Sequence, residues 1–93
     1  MLSLKNRISK NRDVPWRIIE EEAILVDVKK GEVIHLNETG AKIWDLIDGK
    51  RSIGDIAKGI CDIFEIDKET AQKDTSRFIS EAVKKRLAVV SDE

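Results

Sequence analysis

The chain is short of the residues that most enzymes depend on. It has one cysteine, Cys61, so an internal disulfide is excluded, and a reducing compartment is expected. It has one histidine, His35. A metal site needs several ligands at suitable spacing, and one His with one Cys 26 residues later does not supply it. No glycine-rich phosphate loop follows a strand-like run. Charge of one sign is also lacking: Lys plus Arg is 17 and Asp plus Glu is 18, so the formal net charge is −1. Such a balance gives no overall field to attract nucleic acid or an anionic membrane. No stretch approaches the roughly 20 apolar residues of a membrane span, and Met1–Arg12 lacks the apolar run of a signal peptide. Cytoplasm is the expected location. Repeats and low-complexity segments are absent.

What is present is one small, heavily charged globular domain of 93 residues, 41% apolar and 38% charged. Residues 1–13 are polar and basic and are expected to form a flexible arm, either frayed or docked on an acidic partner. The folded domain is expected over 14–90, with 91–93 as tail. Val14-Pro15-Trp16 opens a first strand through Glu20, since proline at a strand start gives up only one ladder donor. Glu20-Glu21-Glu22 reads as a solvated turn. In Ala23–Val28, Ile24, Val26 and Val28 share one face. Lys29-Lys30-Gly31-Glu32 is a hairpin turn, and Val33–Leu36 is a third short strand. Close turns imply an antiparallel meander.

Three helices follow. Asn37 is a good N-cap for a helix from Glu38 to Asp48, with Ala41, Ile43, Trp44, Leu46 and Ile47 as its apolar face and Asp48-Gly49 as its stop. Ser52-Ile53-Gly54-Asp55 resembles a capping box. The helix it opens has Ile53, Ile56, Ala57, Ile60, Cys61 and Phe64 as a stripe, which makes Cys61 a small buried hydrophobe rather than a reactive thiol. Asp67 caps a third helix running to about Arg86, with Ala71, Thr75, Phe78, Ile79, Ala82, Val83 and Leu87 inward. Leu87–Val90 is a final extended segment. The fold class is therefore α+β, winged-helix-like, with a three-stranded antiparallel sheet followed by three helices. His35 sits on a strand beside a turn, where a structural role outweighs a catalytic one.

Three non-catalytic readings fit this arrangement. The sheet has two edges with unpaired backbone groups, and an extended peptide can add to one of them. The third strand is the attractive edge because it runs straight into the Asn37 corner. The bland alternative is that this edge is short and merely solvated. A winged-helix DNA-binding protein is the second reading. Against it, Lys68, Lys73, Arg77, Lys84, Lys85 and Arg86 share the third helix with Glu69, Asp74 and Glu81, and a groove-reading helix needs a clear positive footprint. The third reading is a dimerising domain whose edges pair with each other.

His35-Leu36-Asn37-Glu38-Thr39-Gly40-Ala41, followed by Ile43-Trp44-Asp45-Leu46-Ile47-Asp48-Gly49, resembles the PqqD family. The likeness continues through Ser52–Ala57, Ile66-Asp67, Asp74 and Phe78-Ile79, and covers roughly Trp16 to Val90. One departure is at Arg86-Leu87, where the family often has Gly-Leu. The resemblance implies a cofactor-free, non-catalytic winged-helix-like recognition element for ribosomally made, modified peptides. Such domains bind the leader of a precursor peptide and present it to a modifying enzyme, a radical S-adenosylmethionine (radical SAM) enzyme in pyrroloquinoline quinone biosynthesis. The near-neutral charge and the lack of a spanning run leave no membrane partner expected. The resemblance places the leader beside Val33, Ile34, His35 and Leu36 and against Lys73, Asp74, Arg77, Phe78 and Glu81. Phe78 is left as either core or groove floor. The Asn37–Gly49 corner itself is expected to act mostly as scaffold.

Overall fold

The computed structural model describes residues 2–91. Five strands and three helices follow one another in this order: β1 (Ile8–Lys10), β2 (Trp16–Ile19), β3 (Glu22–Asp27), β4 (Glu32–Leu36), α1 (Glu38–Leu46), α2 (Ile53–Phe64), α3 (Lys68–Lys84) and β5 (Ala88–Val90). Strands β2, β3 and β4 form the expected antiparallel meander, with β3 in the middle. The α+β, winged-helix-like reading therefore holds.

Alternation decides which face of this sheet meets the helices. Ala23 and Leu25 of β3 are buried, and their partners across the ladders are Ile18 and Trp16 on one side and Leu36 and Ile34 on the other. Ile24 and Val26 share the opposite, outward face, as their spacing predicts, beside His35 and Val33. Val28 does not join them. The strand ends at Asp27, whose carboxylate accepts a hydrogen bond from the Lys30 N–H at 3.3 Å and so turns the chain before Val28 can pair.

All three helix starts are capped by the expected side chains. Asn37 accepts from the Gly40 N–H at 2.9 Å. Ser52 and Asp55 form a reciprocal capping box. Asp67 accepts from the Thr70 N–H at 3.0 Å. Each cap satisfies donors that the first helical turn leaves open and contributes about 1 kcal/mol. The α3 helix stops at Lys84, short of the expected Arg86, and its end is a Schellman turn. The Leu87 N–H reaches Ala82 O at 2.8 Å and the Arg86 N–H reaches Val83 O at 3.0 Å. Arg86 holds the left-handed position at φ 64°, where glycine would carry no steric cost. Helix α1 likewise stops at Leu46, before Asp48.

The core gathers Leu25, Ile43, Trp44, Ile47, Ile53, Ile56, Ile60 and Ile79 between the inner sheet face and the three helices. Trp44 is fully buried and meets the Trp16 ring edge-on at 6.2 Å between centroids. The Lys10 ammonium lies 5.0 Å from the Trp16 centroid and 5.5 Å from that of Trp44, and it donates to the Ile47 carbonyl. Burial pulls its pKa below the ordinary lysine value, and the nearby carboxylates of Asp45 and Asp48 oppose that shift.

The N-terminal segment corrects the expectation of a free basic arm over residues 1–13. Ile8 is completely buried, and β1 pairs antiparallel with β5, Ile8 opposite Val90 and Lys10 opposite Ala88. The carbonyls of Leu4 and Asn6 accept from the Gly54 and Ile53 N–H groups at 2.8 and 2.9 Å, and the Ile8 carbonyl accepts from Gly49 at 2.7 Å. This segment thus completes the N-terminus of α2 and fills the corner after α1. The folded unit therefore begins well before residue 14.

Candidate functional site

Strand β4 is an edge strand, and its backbone geometry follows from a single hydrogen bond. The Val26 N–H donates to the Pro15 carbonyl at 2.9 Å, so the backbone groups of Val26 point towards β2. Alternation then points those of Leu25 towards β4, where Ile34 lies opposite. On β4 itself, Ile34 is therefore bonded into the sheet, while the N–H and C=O groups of Val33 and His35 point out of the open edge. The side chains divide the same way. Ile34 and Leu36 are half-buried against the core, whereas Val33, 57% exposed, and His35 stand on the outer face.

Beside the end of β4 is a groove of about 430 Å³, lined by Asn37, Thr39, Gly40 and Ile43 on one wall and Asp74, Arg77, Phe78 and Glu81 on the other. The α3 wall exists because positions 74, 78 and 81 recur at helical spacing, while Ala71, Thr75, Ile79 and Ala82 turn to the core. Four of the expected helix residues are thus brought together. Lys73 is exposed and does not line the groove, because it lies one position off that face. Phe78 serves both roles left open by the sequence: it packs against the core and forms part of the groove.

The α1 wall is what the sequence reading missed. The corner was expected to act mostly as scaffold; four of its residues line the groove. Gly40 is the tightest point. A Cβ there would lie 3.3 Å from Phe78 Cε2 and 3.5 Å from Leu36 Cβ, so its lack of a side chain lets α1 and α3 close together at the end of β4. The signal was available in the small residue three positions after an N-cap, but capping alone explained the motif.

Neither Asp74, Arg77 nor Glu81 belongs to an ion pair among the described residues, so all three charges face the groove uncommitted. Cys61 is half-buried on α2 and its thiol donates to the Ile66 carbonyl at 2.9 Å, a local contact at the α2–α3 corner. Among the described residues, no three His, Cys, Asp or Glu side chains come together to hold a metal ion, and no helix is long and apolar enough to cross a membrane.

Two solved structures share this fold. A structure of TbiB1 in complex with the TbiA(beta) leader peptide superposes with a TM-score of 0.77 at 24% identity, over 86% of this chain and 93% of that one. Lasso peptide synthetase B1 complexed with the leader peptide gives 0.76 at 19% identity, over 89% and 98%. A comparison with curated protein sequences finds no significant match. The family model for coenzyme PQQ synthesis protein D matches residues 22–88, from the first residue of β3 to the first of β5. With most of its length covered by that model, the chain belongs to the PqqD family.

Proposed function

We propose that this protein is a non-catalytic adaptor that binds the leader of a ribosomally made precursor peptide and presents the peptide to a modifying enzyme. The observation that carries this reading is the open β4 edge, with the Val33 and His35 backbone groups unpaired within the sheet, running into a groove walled by α3. A leader strand adding here gains main-chain hydrogen bonds, and the groove reads its side chains. Asp74, Arg77 and Glu81 select charge, while Phe78 offers an apolar surface. Family membership supports the reading, as do the leader peptides held by both structural relatives.

The adaptor itself performs no chemistry and needs no cofactor. Holding the leader makes the encounter between core peptide and active site effectively intramolecular, which raises local concentration. The enzyme partner is a radical SAM enzyme, as in pyrroloquinoline quinone biosynthesis, or another peptide-modifying enzyme, and the exchange takes place in the cytoplasm.

The test is a titration of isotope-labelled protein with leader segments of precursor peptides encoded beside its gene. Amide shifts are expected to cluster at Val33–Leu36 and along Asp74–Glu81. A peptide that the neighbouring enzyme modifies, but that leaves those signals unmoved at saturating concentration, would refute the proposal.

A further inference from the structure

The α3 face that lines the groove does not end at Glu81. One turn further on are Lys84 and Lys85, and with Arg86 they line a second cavity of about 480 Å³. Its other walls are the β3–β4 turn, which contributes Lys29 and Lys30, and the loop before β2, which contributes Asn11, Asp13 and Val14. This cavity and the groove lie at opposite ends of one strand: Lys30 precedes the start of β4, and Asn37 follows its end. The strand between them spans roughly 17 Å at about 3.4 Å per residue.

Five cations therefore meet at the end of the sheet where β4 begins, against the carboxylates of Asp13 and Asp27, in a chain whose net charge is −1. None of the five is in an ion pair among the described residues. Asp27 already accepts the Lys30 N–H that closes the turn. Lys84 and Lys85 complement the carbonyl end of α3, as cations at a helix C-terminus do. That role does not extend to Lys29 and Lys30, which reach the same cavity from the sheet. Nucleic acid fits this surface poorly, because Asp74 and Glu81 lie on the same α3 face and would oppose phosphates.

We infer that the peptide held on β4 carries acidic side chains at the end that passes the β3–β4 turn, and that these dock among Lys29, Lys30, Lys84, Lys85 and Arg86. The inference rests on the strand-addition reading and adds the chemistry of one end of the ligand. In sequence terms, a cognate leader has an Asp/Glu-rich segment adjoining its strand-forming segment.

An array of random dodecapeptides probed with the full-length protein tests it. Bound peptides are expected to be enriched in Asp and Glu within one terminal third. The enrichment should disappear in both Lys84→Glu/Lys85→Glu and Lys29→Glu/Lys30→Glu, each of which should weaken the best acidic peptide by roughly tenfold or more. Its Asn/Gln counterpart should bind wild type and variants alike. A Val33→Pro protein separates the two claims. Peptides that depend on Val33 but show no acidic bias overturn the inference and leave strand addition standing. Peptides indifferent to Val33→Pro overturn both. Salt-sensitive binding of short duplex DNA that the double variants abolish, with no acidic bias among peptides, also overturns the inference.

Discussion

Replacing Val33 with proline tests the orientation of the β4 edge more sharply than removing any side chain. Its N–H points out of the sheet, so in the free protein that donor faces solvent and no ladder bond is lost. Proline is tolerated on an edge strand in this orientation, and the 57% exposed side chain contributes little packing. The expected change in stability is therefore about 1 kcal/mol or less. Ile34→Pro is the matched control. Its N–H is bonded towards Leu25 and its side chain is half-buried against the core. Losing that bond, with an acceptor left unpaired, and part of the apolar contact should cost about 2–4 kcal/mol.

Binding should separate the two residues in the other direction. An added leader strand would accept from the Val33 N–H, and a net 0.5–1.5 kcal/mol per bond, together with the bulk of the ring, corresponds to roughly tenfold or more in affinity. Urea unfolding followed by tryptophan fluorescence gives the stabilities, and anisotropy of a labelled leader gives the affinities. If Val33→Pro destabilised the fold as much as Ile34→Pro, the assignment of outward groups would be wrong. If it folded normally and bound the leader unchanged, strand addition at this edge would be refuted.

Three further outcomes are expected. Ile8→Ala should destabilise the domain by about 2–5 kcal/mol in urea unfolding, because a fully buried isoleucine leaves a cavity; a free arm would tolerate the change without effect. Thr75→Val should stabilise by about 1 kcal/mol in the same assay, since the fully buried Thr75 hydroxyl has no hydrogen-bond partner among the described residues and the replacement keeps its shape. In acid, the backbone N–H groups of Arg51 and Lys50 hold the Asp48 carboxyl below its ordinary value of 3.8. A depressed folded-state pKa contributes stability above the unfolded value that is lost as pH falls through the folded one. Asp48→Asn should therefore reduce the loss of stability seen below about pH 4 in thermal melts at stepped pH.

Much of this fold could be read in the sequence because each helix announces itself twice, by a capping side chain and by a stripe at spacings of 3 and 4. Ser52 with Asp55, then Ile53, Ile56, Ala57 and Ile60, is the clearest case. The N-terminal segment carries no such mark. Its work is done by the backbone carbonyls of Leu4, Asn6 and Ile8, which any residue supplies, and its one deeply buried side chain lies in a strand too short to show a period. The site divides in the same way. The α3 wall followed from family likeness and helical spacing. The α1 wall was masked because Asn37 already had a task as cap. The basic end was hidden because Lys29 and Lys30 look like a solvated turn and Lys84–Arg86 like an ordinary helix end, until folding brings them to one cavity. Arg86, at the position where the family often has glycine, takes the left-handed conformation, and both Schellman bonds form.

The pairing of β1 with β5 has a topological consequence. Ile8 lies opposite Val90 and the Ser91 N–H donates to the Arg7 carbonyl at 2.8 Å, so residues 7–91 close into a ring. Bringing such distant residues together costs about 4 kcal/mol in chain entropy. A circular permutant that links the N- and C-terminal segments and opens the Glu20–Glu21 turn would make the β1–β5 pair local and pass that cost to the β2–β3 pair. It would leave β4, α1 and α3 uncut, and the new ends would emerge beside the first turns of α1, at the end of the sheet where Ala23 pairs with Leu36.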